Sequence, residues 1–164
     1  MGMTVKVKMN LDFPVLEFQR ELIEIANKVI IPDIGGRIDD GVSVSGHSYG
    51  GLDPKTIKQK QRKGLSTKTF IATGQLRRSS KAIAKGENSV VIFPSGIRHS
   101  KGSGRILSNS ELGDILQNQG VRSRFGKRFF EFFGISKEAE IEAMDFMEKT
   151  VKKKIRDGGR KTVR

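Results

Sequence analysis

The sequence has no cysteine, no tryptophan, one tyrosine and two histidines among its 164 residues. The lack of cysteine excludes disulfide bonds, thiolate metal sites and cysteine nucleophiles, and with them the small disulfide-stabilised scaffolds of secreted proteins. The scarcity of histidine argues against a metal site as well. Hydrophobic residues make up only 35% of the chain and aromatic residues 7%. We therefore expect one domain with a modest core and some stabilisation from neighbouring chains.

Long apolar runs are also missing from the sequence. No stretch approaches the roughly 20 apolar residues that a membrane-spanning helix needs. The first ten residues, MGMTVKVKMN, lack the apolar run of a signal peptide. The sequence therefore predicts a soluble protein that is made in the cytoplasm and does not bind membranes.

The chain is strongly basic, and its charge is unevenly distributed. The formal net charge is +13. Residues 41–130 carry 17 Lys/Arg and 4 Asp/Glu, whereas residues 1–40 carry 5 and 7, and residues 131–164 carry 9 and 7. A basic block of this kind favours an anionic partner, either nucleic acid or an acidic protein surface. The charge alone does not distinguish between these two partners.

The hydrophobic pattern predicts an α+β fold in a single domain of residues 1–157, followed by a basic disordered tail at 158–164. A small antiparallel sheet, made of a hairpin and edge strands, is expected to pack against a long N-terminal and a long C-terminal helix. Residues 33–51 and 95–105 are rich in small and polar residues, and we predict that both segments are flexible arms.

Individual strands and helices are placed by their periodicity and their end signals. Residues 3–9 alternate like a strand, and the runs KAIAK and SVVIF, separated by GEN, predict the hairpin. The first long helix is predicted to begin at Pro14 and to end before Pro32. Further helices are predicted from Asp53 to Gly64, from Asn109 or Ser110 to Gly120, and from Ser136 into the basic tail.

The last of these helices has an apolar face that is predicted to pack on the core. An i+4 stripe forms its centre, and three further residues broaden it. The stripe consists of Ala139, Ala143, Met147, Val151 and Ile155, and the broadening residues are Ile141, Met144 and Phe146.

No group of residues in the sequence has the pattern of an active site. His47 and His99 lie in segments rich in glycine and serine, without a neighbour that would orient the ring. The carboxylates of the middle segment have ordinary explanations as helix caps, turns or first-turn residues. These carboxylates are Asp53, Glu87, Glu111 and Asp114. We therefore expect no enzymatic activity and no cofactor, and a metal-dependent nuclease ranks third among the functions considered.

The segment TGQLRRSS, residues 73–80, resembles a phosphate-binding loop or a kinase target, but it has a structural interpretation. Gly74 can turn the chain after the apolar run FIA, and Leu76 can point into the core. Thr73 and Ser79 can satisfy backbone groups around that turn. Two side chains then remain to contact a neighbouring molecule: Arg77 and Arg78.

The segment VRSRFGKRFFEFFGI, residues 121–135, combines basic and aromatic residues and has two interpretations. Its phenylalanines can stack on single-stranded bases while its basic residues bind phosphates. Alternatively, the phenylalanines fill the core beside the last helix, which we favour because five exposed phenylalanines would form a large apolar patch. The candidate contacts to a partner or to DNA are Arg77, Arg78, Lys81, Arg122, Arg124 and Lys127.

The order of the motifs resembles that of the tailed-phage virion-morphogenesis family. The series is LDPKTIKQK at 52–60, FIATGQLRRS at 70–79, a hairpin, ILQNQG at 115–120, RFFEFFGIS at 128–136 and a closing helix. The residues in the family's motif positions are Pro54, Thr56, Thr73, Gly74, Leu76, Ser79, Gly120, Arg128 and Phe129. The sequence departs from the family before Gly120, where an aromatic-Ala pair and a histidine are common and LGDILQNQG stands instead.

The resemblance implies a non-enzymatic tail-completion or head-tail connector protein of the phage neck. It further implies a ring of identical subunits, with six as the expected number, in contact with neck, connector and tail proteins. Such a protein is located in the virion after assembly in the host cytoplasm, and DNA in the lumen of the ring is a further candidate partner. The alternative from a different class is a nucleic-acid-binding module that uses the basic middle segment.

Overall fold

A computed structural model of the chain describes residues 5–8, 18–69, 71, 73–86, 88–98, 107–123 and 126–161. The fold of this part is α+β. In chain order, its elements are β1 (Val5–Lys8), α1 (Gln19–Ile25), a π-helical turn (Ala26–Ile30), α2 (Ile31–Asp40), α3 (Pro54–Arg62), β2 (Ser80–Ala84), β3 (Ser89–Pro94), β4 (Ile97–Arg98), β5 (Leu107–Ser108), α4 (Asn109–Asp114), a second π-helical turn (Ile115–Gln119), β6 (Val121–Ser123), β7 (Gly126–Arg128) and α5 (Lys137–Lys161).

Residues 19–40 form one continuous helix, here called the N-terminal helix, in which the π turn joins α1 to α2. The prediction that this helix ends before Pro32 is wrong. Proline has no backbone N–H, and its ring crowds the carbonyl four residues earlier in a regular helix. The π turn widens the helix immediately before Pro32, and the N–H of Ile31 bonds to the carbonyl of Ala26, five residues back. The helix therefore passes through the proline.

The buried stripe of the N-terminal helix explains why it continues past the proline. Ile34 and Ile38 are both 1% exposed and extend the apolar face of the first turns. Gly41, at φ +67°, then ends the helix in the left-handed conformation that favours glycine. The predicted flexible arm at 33–51 is therefore wrong for its first eight residues, which are helical.

The rest of that predicted arm, residues 41–51, contains a turn that packs against the chain near residue 131. Val42 and Ser48 form a β-bridge, and the N–H of Val44 bonds to the carbonyl of Glu131 at 2.8 Å. The ring of Tyr49 meets that of Phe130 edge-on, with centroids 5.1 Å apart. Backbone hydrogen bonds and ring packing thus hold residues 42–49 against the chain near residue 131, so this part of the predicted arm is a docked turn.

The sheet has three antiparallel strands in the order β1-β3-β2. The predicted hairpin is confirmed, with Ser80 opposite Pro94 and Ala84 opposite Val90. The predicted first strand pairs with the other side of β3. One face of the sheet, which includes Val90 and Ile92, packs on the helices. The hairpin therefore supplies the central strand and one edge strand.

The apolar core lies between the N-terminal helix, this face of the sheet and α5. Phe18, Phe132 and Ile92 are among its largest fully buried side chains. The other buried apolar members are Leu22, Ile25, Ala26, Val29, Ile30, Ile34, Ile38, Leu76, Val90, Phe133, Ala139, Ala143 and Met147. The N-terminal helix contributes seven of these sixteen side chains, more than any other element, so it is the central element of the fold.

A buried polar cluster joins α2 to the start of α5. Asp33 accepts a hydrogen bond of 2.8 Å from the hydroxyl of Ser136, which in turn accepts the N–H of Ala139 and caps α5 as predicted. Arg37, which is 7% exposed, lies 2.9 Å from Asp33 and donates to the carbonyl of Gly134 at 2.6 Å. The cluster thus holds the entry of α5 against the N-terminal helix.

Two helix ends differ from the predictions. The cap of α4 is Ser108, not Asn109 or Ser110: its hydroxyl accepts the N–H of Glu111, whose carboxylate accepts the N–H of Ser108 in return. α5 extends to Lys161, so the predicted disordered tail at 158–164 is helical in its first four residues. Gly158 and Gly159 each lower the stability of a helix by only about 1 kcal/mol relative to alanine, so the long helix before them can continue through both. The second predicted arm, 95–105, is wrong for its first four residues, because Ser95 bonds to Ser79 and Ile97–Arg98 form β4, which pairs with β5. Residues 99–105 of that arm and 162–164 lie outside the described residues.

Candidate assembly surfaces

The described residues contain no group of three or more His, Cys, Asp or Glu side chains that could hold a metal ion. The carboxylates weighed from the sequence have structural roles here. Asp53 accepts the N–H of Lys55 as the cap of α3, and Glu111 completes the box at α4. Asp114 accepts hydrogen bonds from Asn118 and Gln119, which lower its pKa. Glu87 lies outside the described residues.

His47 has a partner that the sequence did not reveal. Its Nδ1 lies 2.9 Å from the hydroxyl of Ser45, and its backbone N–H bonds to the hydroxyl of Ser43. Ser43 also bonds through its N–H to the carbonyl of His47. These bonds close a five-residue turn, and no described carboxylate bonds to the ring. The arrangement lacks the orienting third group of a catalytic triad, and His99 lies outside the described residues.

The segment TGQLRRSS forms the turn that was predicted for it. Gly74 has φ +74°, a conformation that side chains with a Cβ rarely adopt. Leu76 is buried in the core, and the hydroxyl of Ser79 donates to the carbonyl of Leu76 at 2.7 Å. The hydroxyl of Thr73 accepts the N–H of Gln75 at 3.4 Å. The motif residues of this segment therefore shape the backbone.

The two arginines of this turn are exposed but have partners within the chain. Arg77 forms an ion pair with Asp39, Nε to Oδ2 at 2.5 Å, which ties the turn to the end of α2. Arg78 donates to the carbonyl of Thr73 at 3.2 Å and lies over Gly74. Both arginines were predicted to contact a neighbouring molecule. A partner that binds them would have to compete with these internal bonds.

The exposed edge strand β2 carries the third candidate contact, Lys81. Lys81 and Ile83 alternate with the half-buried Ala82, and Ile83 is 50% exposed. They therefore lie on the face of the sheet that is opposite to the helical core. This face presents an apolar and a basic side chain together.

The basic and aromatic segment forms a second, separate hairpin of β6 and β7. Gly120 precedes it at φ +72°, and a Cβ there would lie 3.0 Å from the ring of Phe129. Lys127 and Arg128 are exposed, and neither is paired with a described carboxylate. Phe129 is 51% exposed beside them. Arg124 and Phe125, and the side chain of Arg122, lie outside the described residues.

Of the phenylalanines favoured as core residues from the sequence, Phe132 and Phe133 lie in the core and Phe130 packs against it, whereas Phe129 does not. Phe132 and Phe133 are 0% and 2% exposed and meet edge-on. The side-chain amide of Gln117, in the second π turn, brackets Phe133 by bonding to both its N–H and its carbonyl at 3.1 Å. Phe129 alone among the described phenylalanines of this run is strongly exposed, so it is the one aromatic side chain here that can meet a partner.

The basic helix α3 lies on the surface, as its composition predicts. None of its residues is buried; Pro54 stands at its first position and Thr56 is half-buried. Lys60 is the exception among its basic residues, because its Nζ donates to the carbonyls of Lys68 and Ile71 at 2.6 and 2.9 Å. Burial lowers the pKa of this ammonium group. Four basic residues of α3 and its end remain exposed: Lys55, Lys58, Arg62 and Lys63.

Two features were missed from the sequence. The first is the cluster of Asp33, Arg37 and Ser136, in which burial lowers the pKa of Arg37 although Asp33 opposes this shift. Burial disfavours the charged form of Tyr49 as well, and together with the nearby Glu131 it raises the pKa of Tyr49 to about 12. The second is the exposure of Ile141, Met144 and Ile155 on α5, which were expected to pack on the core. In the sequence, only the i, i+4 spacing of Asp33 and Arg37 could have indicated the buried cluster.

Comparison with known proteins gives no relative. No family model, no curated protein and no solved structure matches this chain. Within the described ranges, none of the helices combines the length and the apolar character needed to cross a bilayer.

Proposed function

We propose that this chain is a non-enzymatic structural subunit of a tailed-phage neck. In this role it is a tail-completion or head-tail joining protein, and identical subunits form a ring, of six by expectation, between the capsid connector and the tail. Its partners are the neighbouring neck, connector and tail proteins, and its location is the virion.

The observation that carries the proposal is that four of the motif residues form turns or core contacts. Gly74 and Gly120 have positive φ at turns, Leu76 is buried, and Ser79 bonds to the backbone of its own turn. Residues with these roles fit a subunit that acts through its shape better than one that acts through catalysis. The exposed Ile83 and Phe129 are side chains that such protein contacts would use.

The direct test is electron microscopy of the purified protein mixed with phage tails or with capsid connectors. The expected result is extra density at the tail end or on the connector. Arg77→Ala with Arg78→Ala should weaken this attachment while the subunit stays folded. A matched control is Lys28→Ala with Lys152→Ala, because these exposed lysines pair with glutamates of their own helices. Equal attachment of both variants would contradict the contact role of the arginines, and no attachment of the wild type would contradict the function.

A nucleic-acid-binding module is the second candidate, and the β6-β7 hairpin favours it. Lys127 and Arg128 are exposed there without a described acidic partner, next to the exposed ring of Phe129. Cations beside an aromatic ring are the usual elements of single-strand binding. Each phosphate that is neutralised should contribute about −0.7 to −0.9 to the slope of log K against log salt.

Binding of a single-stranded oligonucleotide across a salt series tests this second function. Lys127→Ala with Arg128→Ala should reduce the slope by roughly 1.4, the contribution of two single-strand phosphate contacts. The control pair Lys28→Ala and Lys152→Ala removes the same charge elsewhere. If both pairs reduce the slope equally, the hairpin is not the binding site and only a general basic surface remains.

A further inference from the structure

One face of α5 is apolar and largely exposed, although one of its residues, Val151, also packs against the edge of the core. Ile141, Met144 and Ile155 are 61%, 60% and 61% exposed. With 3.6 residues per turn, these three and the half-buried Val151 fall in a sector roughly 80° wide. The core-facing Ala139, Ala143 and Met147 are centred roughly 110° away around the same helix. The four residues, here called the outer stripe, thus form a second face.

The spacing of the outer stripe is that of a helix-pairing seam. Its residues, with Glu148 in the middle, follow one another at intervals of three, four, three and four. This is the a/d pattern that brings two helices together side by side. Singly exposed apolar residues are common on soluble proteins, whereas a seam of large ones indicates a contact surface.

The charges beside the outer stripe identify its partner. Residues 137–148 contain one basic and five acidic residues, whereas residues 149–157 contain five basic and one acidic. The helix dipole favours such a distribution only in the first and last turns, but here it extends along the helix. A second α5 that runs in the opposite direction places each acidic half against a basic half. A parallel copy would place like charges together.

We propose that α5 pairs antiparallel with α5 of a second copy of this chain through the outer stripe. Alignment about a two-fold axis between Glu148 and Val151 brings Met144 of one copy opposite Ile155 of the other. Such a contact is closed, because each copy uses the same patch. It is therefore separate from the contacts that build a ring, and the inference does not rest on the proposed function.

The first test is sedimentation velocity of the full chain over a wide range of concentration. The wild type should show a monomer-dimer equilibrium, and Ile141→Ser with Ile155→Ser should lower the association constant by about tenfold or more, because four buried isoleucines are lost per dimer. The matched control is Ile97→Ser, since Ile97 is equally exposed at 61% but lies on β4. Circular dichroism at each concentration checks that all variants are folded.

Either of two results would overturn the pairing. A wild type that stays monomeric throughout excludes it, and an equal loss of association in Ile97→Ser and in the double variant places the contact outside the outer stripe. Neither result bears on attachment to phage tails, which is measured separately.

The second test fixes the direction of the pairing and uses the absence of cysteine from the chain. Any cysteine that is introduced can form a disulfide only with a partner chain that also carries one. A mixture of Met144→Cys and Ile155→Cys chains should form the mixed disulfide under mild oxidation, because those positions face each other in the antiparallel pair. Met144→Cys alone should form little disulfide. If it links to itself more readily than to Ile155→Cys, the helices pair in parallel and the proposal is wrong.

Discussion

The N-terminal helix and α5 are both long and amphipathic, but they use their apolar residues differently. In the N-terminal helix the apolar stripe is covered almost completely, and Ile25, Ile34 and Ile38 are each 1% exposed. α5 turns mainly small or flexible residues to the core and leaves Ile141 and Met144 in solvent. Helical periodicity therefore reveals that a helix has apolar faces, whereas the packing of other elements decides which of them is covered.

The strongest test of this difference is to truncate one isoleucine on each helix. Ile34→Ala removes a fully buried side chain and should lower the free energy of unfolding by roughly 2 to 5 kcal/mol. Ile141→Ala, at an exposed position, should change it by no more than about 0.5 kcal/mol in the monomer. Urea denaturation at low protein concentration measures both. Similar losses would mean that α5 also buries its outer stripe within one subunit.

The next largest effect is expected where the two helices are joined by polar groups. Asp33→Ala removes the partner of the buried Arg37 and of the hydroxyl of Ser136, and should cost roughly 3 kcal/mol because a charge is left buried and unpaired. Asp39→Ala is the control, since it breaks the more exposed pair with Arg77 and should cost less than about 1 kcal/mol. Thermal or urea unfolding compares the two variants, and equal costs would show that the buried cluster does not join the helices.

A smaller effect distinguishes a turn glycine from a helical one. At Gly74, alanine would have to adopt φ +74° with its Cβ 3.0 Å from Arg78, so Gly74→Ala should destabilise the fold by about 1 to 2 kcal/mol. Gly36 lies within the N-terminal helix, where a Cβ meets nothing within 4 Å, and Gly36→Ala should stabilise by about 0.5 to 1 kcal/mol. Melting temperatures should shift in opposite directions. A gain at both positions would contradict the turn geometry at Gly74.

Much of the fold could be predicted from local signals in the sequence. Period-two runs around GEN predicted the hairpin, and Asp53 with Pro54 predicted the start of α3. Pro32 led to a wrong prediction because a proline usually ends a helix. Here the π turn accommodates the proline, and burial of Ile34 and Ile38 stabilises the helix beyond it. The glycine-rich sequence at 41–51 gave no sign of docking, because docking depends on contacts with Phe130 and Glu131, more than eighty positions away.

The candidate surfaces could be predicted only in part, for a similar reason. The turn at Gly74 depends on its own residues, and its geometry agrees with the prediction. The partner of Arg77 is Asp39, 38 positions away, and no sequence pattern indicates that pairing. The i, i+4 spacing of Asp33 and Arg37 indicates an ion pair, but it does not indicate that the pair is buried. Exposure of Met144 likewise depends on what packs on the other faces of α5.

The smallest predicted effect concerns the ion pair of Glu21, in the first turn of the N-terminal helix, with Lys154, in the last turns of α5. Lys154 lies 2.7 Å from Glu21 and 4.8 Å from the centre of the Phe18 ring. Burial opposes the ionisation of Glu21, but the hydrogen bond and the charge of Lys154 outweigh it, so the pKa of Glu21 is lowered. A lowered pKa in the folded state contributes stability that is complete above the ordinary value of 4.5 and is lost as the pH falls through the lower folded value.

Glu21→Gln should therefore be less stable than the wild type by under about 1 kcal/mol at neutral pH, and the difference should vanish in acid. Urea denaturation at a series of pH values measures this convergence, and because Asp114 and Glu148 titrate equally in both proteins, a difference that persists in acid would assign the loss to packing and not to the ion pair.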